Sequence, residues 1–151
     1  GWCYEFGKGV ELDEARAVEL YRAAAEQGLP RAQCCLGYCT EKGIGTEADP
    51  AAAAEWYRRS AEGGYSRGMY NYACCFENGT GVKKDLPLAQ QWYERAAKEG
   101  LPDAMYELGV WYEDGRCGPK DAAQALAWYK KAAEAGHDRA RKAVERMEKL
   151  V

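Results

Sequence analysis

"AEWYRRSAEGG" occupies residues 54–64, and the chain carries that pattern four times. "VELYRAAAEQG" at 18–28, "QQWYERAAKEG" at 90–100 and "LAWYKKAAEAG" at 126–136 share its frame, so that Tyr21, Tyr57, Tyr93 and Tyr129 stand 36 residues apart. The glycines ending each segment, Gly28, Gly64, Gly100 and Gly136, keep the same interval. So do Gly7, Gly43, Gly79 and Gly115, and likewise Asp13, Asp49, Asp85 and Asp121. A fixed period of this length marks stacked supersecondary units, none of which buries its apolar face alone.

Each period reads as two helices. The second begins at the Asp, whose side-chain oxygen suits the free N–H groups of a first turn. In the second repeat Pro50 follows Asp49, and proline is favoured at the first helical position. Ala53, Trp56, Tyr57, Ser60 and Ala61 then fall at helical spacing, and Gly64 supplies the stop. The first helix is clearest in "PDAMYELGVWYEDG", residues 102–115, where Ala104, Leu108, Trp111 and Tyr112 form one stripe. Small residues at 32, 37, 104 and 109 mark where neighbouring helices approach closely. Nothing alternates with a period of two, so no strand is expected. The fold class predicted is all-α, an α-α solenoid of about four repeats.

The two ends differ from the middle. Gly1-Trp2 aligns with Gly37-Tyr38, so the chain is expected to open inside a first helix, with upstream repeat sequence missing. At the other end Ala140, Val144, Met147 and Val151 form a buried side opposite Arg141, Lys142, Glu145 and Lys149, as expected of a capping helix.

Composition narrows the functional classes. The 151 residues are 47% hydrophobic and 30% charged, with a net charge of −3, so no basic field exists to hold nucleic acid. No apolar run approaches the length of a membrane span. Seven cysteines is an odd count, and two pairs are adjacent in sequence, which favours free thiols and a reducing, cytoplasmic setting.

The repeated pattern A-x-x-x-L-G-x-x-Y-x-x-G-x-G-V-x-x-D-x-x-x-A-x-x-W-Y-x-x-A-A-x-x-G resembles the Sel-one-like repeat (SLR) family of the tetratricopeptide-like superfamily. Residues 67–102 and 103–138 carry it most fully, 31–66 clearly, and 1–30 as a partial repeat, with 139–151 as the cap. Tyr72-Ala73 stand in place of Leu-Gly in the third repeat, Thr40 replaces an aromatic in the second, and Cys117 replaces the second loop glycine of the fourth. The resemblance implies a right-handed superhelix of antiparallel helix pairs and an adaptor or scaffold role, without naming a partner.

In tetratricopeptide-like stacks the first helices line a concave groove. Mapped by period, its positions here are Arg31, Cys34, Tyr38, Glu41 and Lys42; then Arg67, Tyr70, Cys74, Glu77 and Asn78; then Asp103, Tyr106, Val110, Glu113 and Asp114, with Lys142 and Arg146 from the cap. Of these, Arg31, Cys34, Tyr38, Arg67, Tyr70, Asn78, Tyr106 and Val110 form the expected binding set, because Tyr and Arg anchor interfaces most often. The partner expected is a protein or peptide, with no nucleic acid, no membrane and no small-molecule substrate.

Catalytic chemistry finds little support. Cys3, Cys39 and Cys75 share a slot that Trp111 fills in the fourth repeat, as a small buried apolar residue would. Cys35 aligns with Asn71 and Glu107, a variable position. Structural zinc needs four ligands and no CxxC spacing exists, so no metal and no cofactor is expected. The single histidine, His137, takes the turn slot of Leu29, Tyr65 and Leu101 and reads as packing. Ser60 and Ser66 lie outside any nucleophile motif, and Ser60 fills an alanine slot. The "GIG" and "GTG" pairs lack the preceding strand of a phosphate loop. Asn78-Gly79-Thr80 is a glycosylation sequon, meaningful only in a secreted chain. A secreted, cysteine-rich branch of the family bridges its helices with regularly spaced pairs. The spacing here differs, and reduced thiols are expected. The reading is a non-enzymatic scaffold, with a thiol-based redox module using Cys34, Cys74 or Cys117 as the alternative.

Overall fold

A computed structural model describes residues 11–116 and 118–149, with side chains from residue 14 onward. These residues form eight helices and no strand: α1 (Glu11–Glu26), α2 (Pro30–Lys42), α3 (Pro50–Glu62), α4 (Ser66–Asn78), α5 (Leu86–Lys98), α6 (Pro102–Asp114), α7 (Ala122–Glu134) and α8 (Asp138–Lys149). The all-α expectation is met. Six consecutive helices, α2 to α7, have the same length of 13 residues, so the sequence period is also a period of the backbone.

Helix boundaries follow from local chemistry. Asp49 Oδ1 accepts the Ala52 N–H at 3.2 Å, and Asp121 Oδ1 accepts the Gln124 N–H at 3.1 Å, each satisfying one donor of a first turn. The first helices stop at Gly43, Gly79 and Gly115, whose φ angles of 71°, 70° and 68° lie in the left-handed region that favours glycine.

The chain divides into two compact units, Gly1–Asp85 and Leu86–Val151. In the first, α2 packs against α1 and α3, and α3 against α4. In the second, α5 to α8 pack in sequence, each against the next. The short connections make successive helices antiparallel neighbours.

One contact recurs in both units. A Cβ placed on Gly37 would lie 2.7 Å from the Tyr57 ring, and one on Gly109 would lie 2.5 Å from the Tyr129 ring. The tyrosine of the second helix therefore lies flush on the backbone of the first. Its hydroxyl then donates to a carboxylate one turn further along that helix, Tyr57 to Glu41 and Tyr129 to Glu113, both at 2.7 Å. Burial raises the pKa of both hydroxyls, and the adjacent carboxylate raises it further, so each remains a donor.

The apolar-slot reading of Cys39 and Cys75 holds, for both are buried, as is Trp111; Cys3 lies outside the described residues. Ser60 is fully buried and donates to the Pro30 carbonyl at 2.7 Å. In α8, Ala140 and Met147 are buried and Arg141, Lys142, Glu145 and Lys149 are exposed, whereas Val144, expected on the buried side, is half-buried and Ala143 takes its place; Val151 lies outside the described residues.

Gly37→Ala is expected to destabilise the chain by about 1–3 kcal/mol, the usual cost of overpacking a closed contact. Urea denaturation measures it, and an unchanged midpoint would mean that Tyr57 yields freely.

Candidate interaction face

In the first unit, α2 and α4 carry the predicted positions at the period of the repeat. Arg31 and Lys42 are exposed at the two ends of α2, with Tyr38 half-buried between them. In α4, Arg67 and Tyr70 are half-buried and Asn78 is exposed at the last position. The Arg67 guanidinium lies over the Tyr70 ring, 5.3 Å from its centroid, one helical turn away. Charge and aromatic surface are thus presented together.

Cys34 corrects the sequence reading. It is 2% exposed and belongs to a core cluster with Ala53, Ala54, Tyr57 and Cys75. Burial pushes its thiol up to about 12, although Asn71, whose side-chain amide donates to Cys34 Sγ at 3.4 Å, opposes the shift. Such a group neither lines a surface nor supplies thiolate near neutral pH. Tyr70 occupies the same repeat position and stays at the surface, because a larger side chain there reaches past the helix beside it.

The glutamates assigned to the groove also have structural work. Glu41 and Glu113 accept the buried tyrosine hydroxyls, and Arg146 of α8 contacts both oxygens of Glu113 at 2.8 and 2.9 Å. The Arg146 hydrogen bond holds the Glu113 carboxyl below its usual pKa, with help from Tyr129. Both partners were visible in the sequence at fixed period, but their pairing is a contact between helices that periodicity alone does not name.

In the second unit Tyr106 and Val110 are half-buried and turn part of their surface inward. Tyr106 stacks on His137 with centroids 4.7 Å apart and planes at 16°, and Val110 packs against the cluster that contains Ala125 and Tyr129. His137 is a packing residue, as expected. Its Nδ1 accepts the Ala140 N–H at 3.1 Å, which caps α8, and its Nε2 faces Asp103 Oδ1 at 3.2 Å.

A second periodic feature went unread in the sequence. Arg59 covers the Trp56 ring at 4.9 Å, Arg95 covers Trp92 at 4.4 Å, and Lys131 covers Trp128 at 4.6 Å. Each cation sits three residues after its tryptophan, a neighbour position on a helix, so the i+3 spacing was the available signal.

Cys35 requires a second correction. It is disulfide-bonded, and its partner lies outside the described residues, as do Cys3 and Cys117. Bridging depends on Cα atoms lying within about 7 Å, a tertiary condition that spacing along one helix does not report. Cysteine usage therefore no longer argues for a reducing compartment. Among the described residues no cluster of three potential metal ligands occurs, and no helix is long and apolar enough to cross a membrane.

Comparison with known proteins places this geometry. The Sel1 repeat matches residues 1–29, 30–65, 66–101 and 102–137. Among solved structures, the chain is similar to a protective antigen of uropathogenic Escherichia coli with an SLR fold, at 34% identity and a TM-score of 0.80 over 88% of this chain and 28% of that one. It is similar to a Sel1 repeat protein of Oxalobacter formigenes at 32% identity and a TM-score of 0.81, covering 87% of this chain and 53% of the other. The cysteine-rich protein B of Helicobacter pylori aligns at 25% identity and a TM-score of 0.69 over 91% and 98%. The chain thus spans about a quarter and about half of the first two neighbours. No curated protein sequence matches it.

Two outcomes follow. Iodoacetamide at pH 8 is expected to modify Cys74, which is half-buried, before Cys34 and Cys75, whose thiols are both pushed up to about 12; peptide mass mapping reads the order, and early modification of Cys34 contradicts its burial. Glu113 has a lowered folded pKa, so its stabilisation is complete above the unfolded value of 4.5 and is lost as pH falls through the lower, folded one. The stability gap between the natural chain and Glu113→Gln should therefore shrink below about pH 4, as urea denaturation across pH measures.

Proposed function

Because the chain belongs to the Sel1 repeat family, we propose that it is a non-enzymatic scaffold binding a partner protein or peptide on the outward face of its first helices. Sel1 repeat proteins are in general scaffolds for protein interaction. The observation that carries the reading is the Arg67–Tyr70 pair, a cation held on an aromatic face at the surface of α4, with Tyr38 and Arg31 on the neighbouring α2. Planar, rigid groups of this kind supply contact area at little entropic cost.

In the first unit the anchors are Arg31, Tyr38, Arg67 and Tyr70, with Asn78 at the edge. In the second they are Tyr106 and Val110, which offer a smaller surface because each is partly committed to packing. Cys34 leaves the set. The bound segment meets side-chain amides and guanidinium groups, which favours main-chain carbonyls and carboxylates as its recognition elements.

The double variant Tyr38→Ala, Tyr70→Ala is expected to weaken capture of the partner from an extract of the source organism by about thirtyfold or more, as loss of an anchor worth about 2 kcal/mol requires. Arg59→Ala, on a second helix, serves as the control. Capture unchanged by the double variant, with helical circular dichroism intact, places the binding surface elsewhere.

A further inference from the structure

In the second unit the repeat positions of the first-helix face pass from α6 to α8. Arg31, Cys34, Tyr38 and Glu41 of α2 have Arg139, Lys142, Arg146 and Lys149 as their equivalents three periods later. The slot of Glu41 and Glu113, which accept tyrosine hydroxyls, therefore holds a lysine, and the slot of Tyr70 and Tyr106 holds another. At about 100° per residue the four cations lie within an arc of about 80°, as one stripe along α8. Arg146 reaches Glu113 across the helix pair, so the stripe borders α6.

Arg139, Lys142 and Lys149 are exposed, and none of them forms an ion pair among the described residues. Arg146 is held in place, because its Nη2 alone contacts both oxygens of Glu113, at 2.8 and 2.9 Å. Its Nε and Nη1 have no acceptor among the described residues, which leaves a guanidinium already oriented and able to donate to a second carboxylate. The nearby carboxylates are largely engaged. Asp103 faces His137 at 3.2 Å, Asp114 faces Arg116 at 3.5 Å and Glu148 faces Lys130 at 3.6 Å. Asp138 and Glu145 flank the stripe without such partners, and they make it narrow.

Width selects the ligand. A nucleic-acid duplex or a bilayer presents charge over a broad surface and would meet Asp138, Glu145 and the α6 carboxylates as well. A single extended chain touches the stripe alone. Arg139 to Arg146, and Lys142 to Lys149, each span about 10.5 Å along the helix axis, a distance an extended chain covers in about three residues. The whole chain carries a net charge of −3, which opposes attraction of an anion to the rest of its surface. We propose that the α8 stripe binds an acidic segment of a partner protein in extended form, with carboxylates at about three-residue intervals on Arg139, Lys142, Arg146 and Lys149. This rests on the reading of the chain as a scaffold and specifies the chemistry of the segment bound at the second unit.

The test follows the fluorescence anisotropy of fluorescein-labelled hexaglutamate as the chain is added, with hexaglutamine as the uncharged comparison. Hexaglutamate is expected to bind saturably and hexaglutamine is not. Lys142→Ala with Lys149→Ala should weaken binding about fivefold or more, as loss of two exposed ion pairs requires. Lys98→Ala with Arg141→Ala removes the same charge from exposed positions off the stripe and should change affinity by less than about twofold. Helical circular dichroism verifies the fold of each variant. Tyr38→Ala with Tyr70→Ala, which tests the scaffold reading, should leave hexaglutamate binding intact, so the two readings fail separately. A thymidine oligonucleotide of equal charge and phosphatidylserine vesicles are expected to bind more weakly than the peptide. The proposal is overturned by the absence of saturable binding, by equal weakening in the two charge variants, by loss of binding in the tyrosine variant, or by tighter binding of the oligonucleotide or the vesicles.

Discussion

The contact between a glycine of one helix and a tyrosine ring of the next is the constraint on which the second and fourth repeats depend. With no Cβ at Gly37 or Gly109, the ring of Tyr57 or Tyr129 reaches the helix backbone, and that approach sets the separation within the pair. The approach also buries a phenol, which then needs an acceptor. Glu41 and Glu113 supply it from the same helix that carries the glycine. Tyr21 fills the same slot, and its buried hydroxyl has no partner among the described residues; one period before Glu41 stands Glu5, outside them. In the second and fourth repeats, steric fit and polar satisfaction are therefore a single device.

That device determines how the charged groups beside it are engaged. Glutamates engaged with tyrosine hydroxyls, and with Arg146 in the second unit, contribute less charge to the surface than their positions suggest. On the first helices of the first unit, Arg31 is exposed and Tyr38, Arg67 and Tyr70 are half-buried. A departure from the repeat adds a different demand: Trp111 stands where the second and third repeats carry cysteine, and its indole N–H is buried without an acceptor among the described residues.

Much of this was legible in the residues. Helix number, the Asp caps, the glycine stops, the Cys39 and Cys75 slot and the packing role of His137 all follow from local chemistry and from comparing equivalent positions. The misreadings share one cause. Cys34 was placed at the surface because Tyr70 and Tyr106 are its equivalents, but a small side chain at that position ends beneath its neighbours, whereas tyrosine extends beyond them. Cys35 looked variable because nothing along its own helix reports its disulfide bond.

The sequence by itself determined the period, the helical class and the residues available to each face, since those depend on spacing along one chain and on the backbone preferences of Asp, Gly and Pro. Tertiary structure alone decided which of those residues are spent on cohesion. The bonds of Tyr57 to Glu41 and of Arg146 to Glu113, the burial of Cys34 and the isolation of the Trp111 N–H all depend on distances between helices. A period records which positions are equivalent; the hydrogen bonds and the room at each position follow only when the helices are packed together.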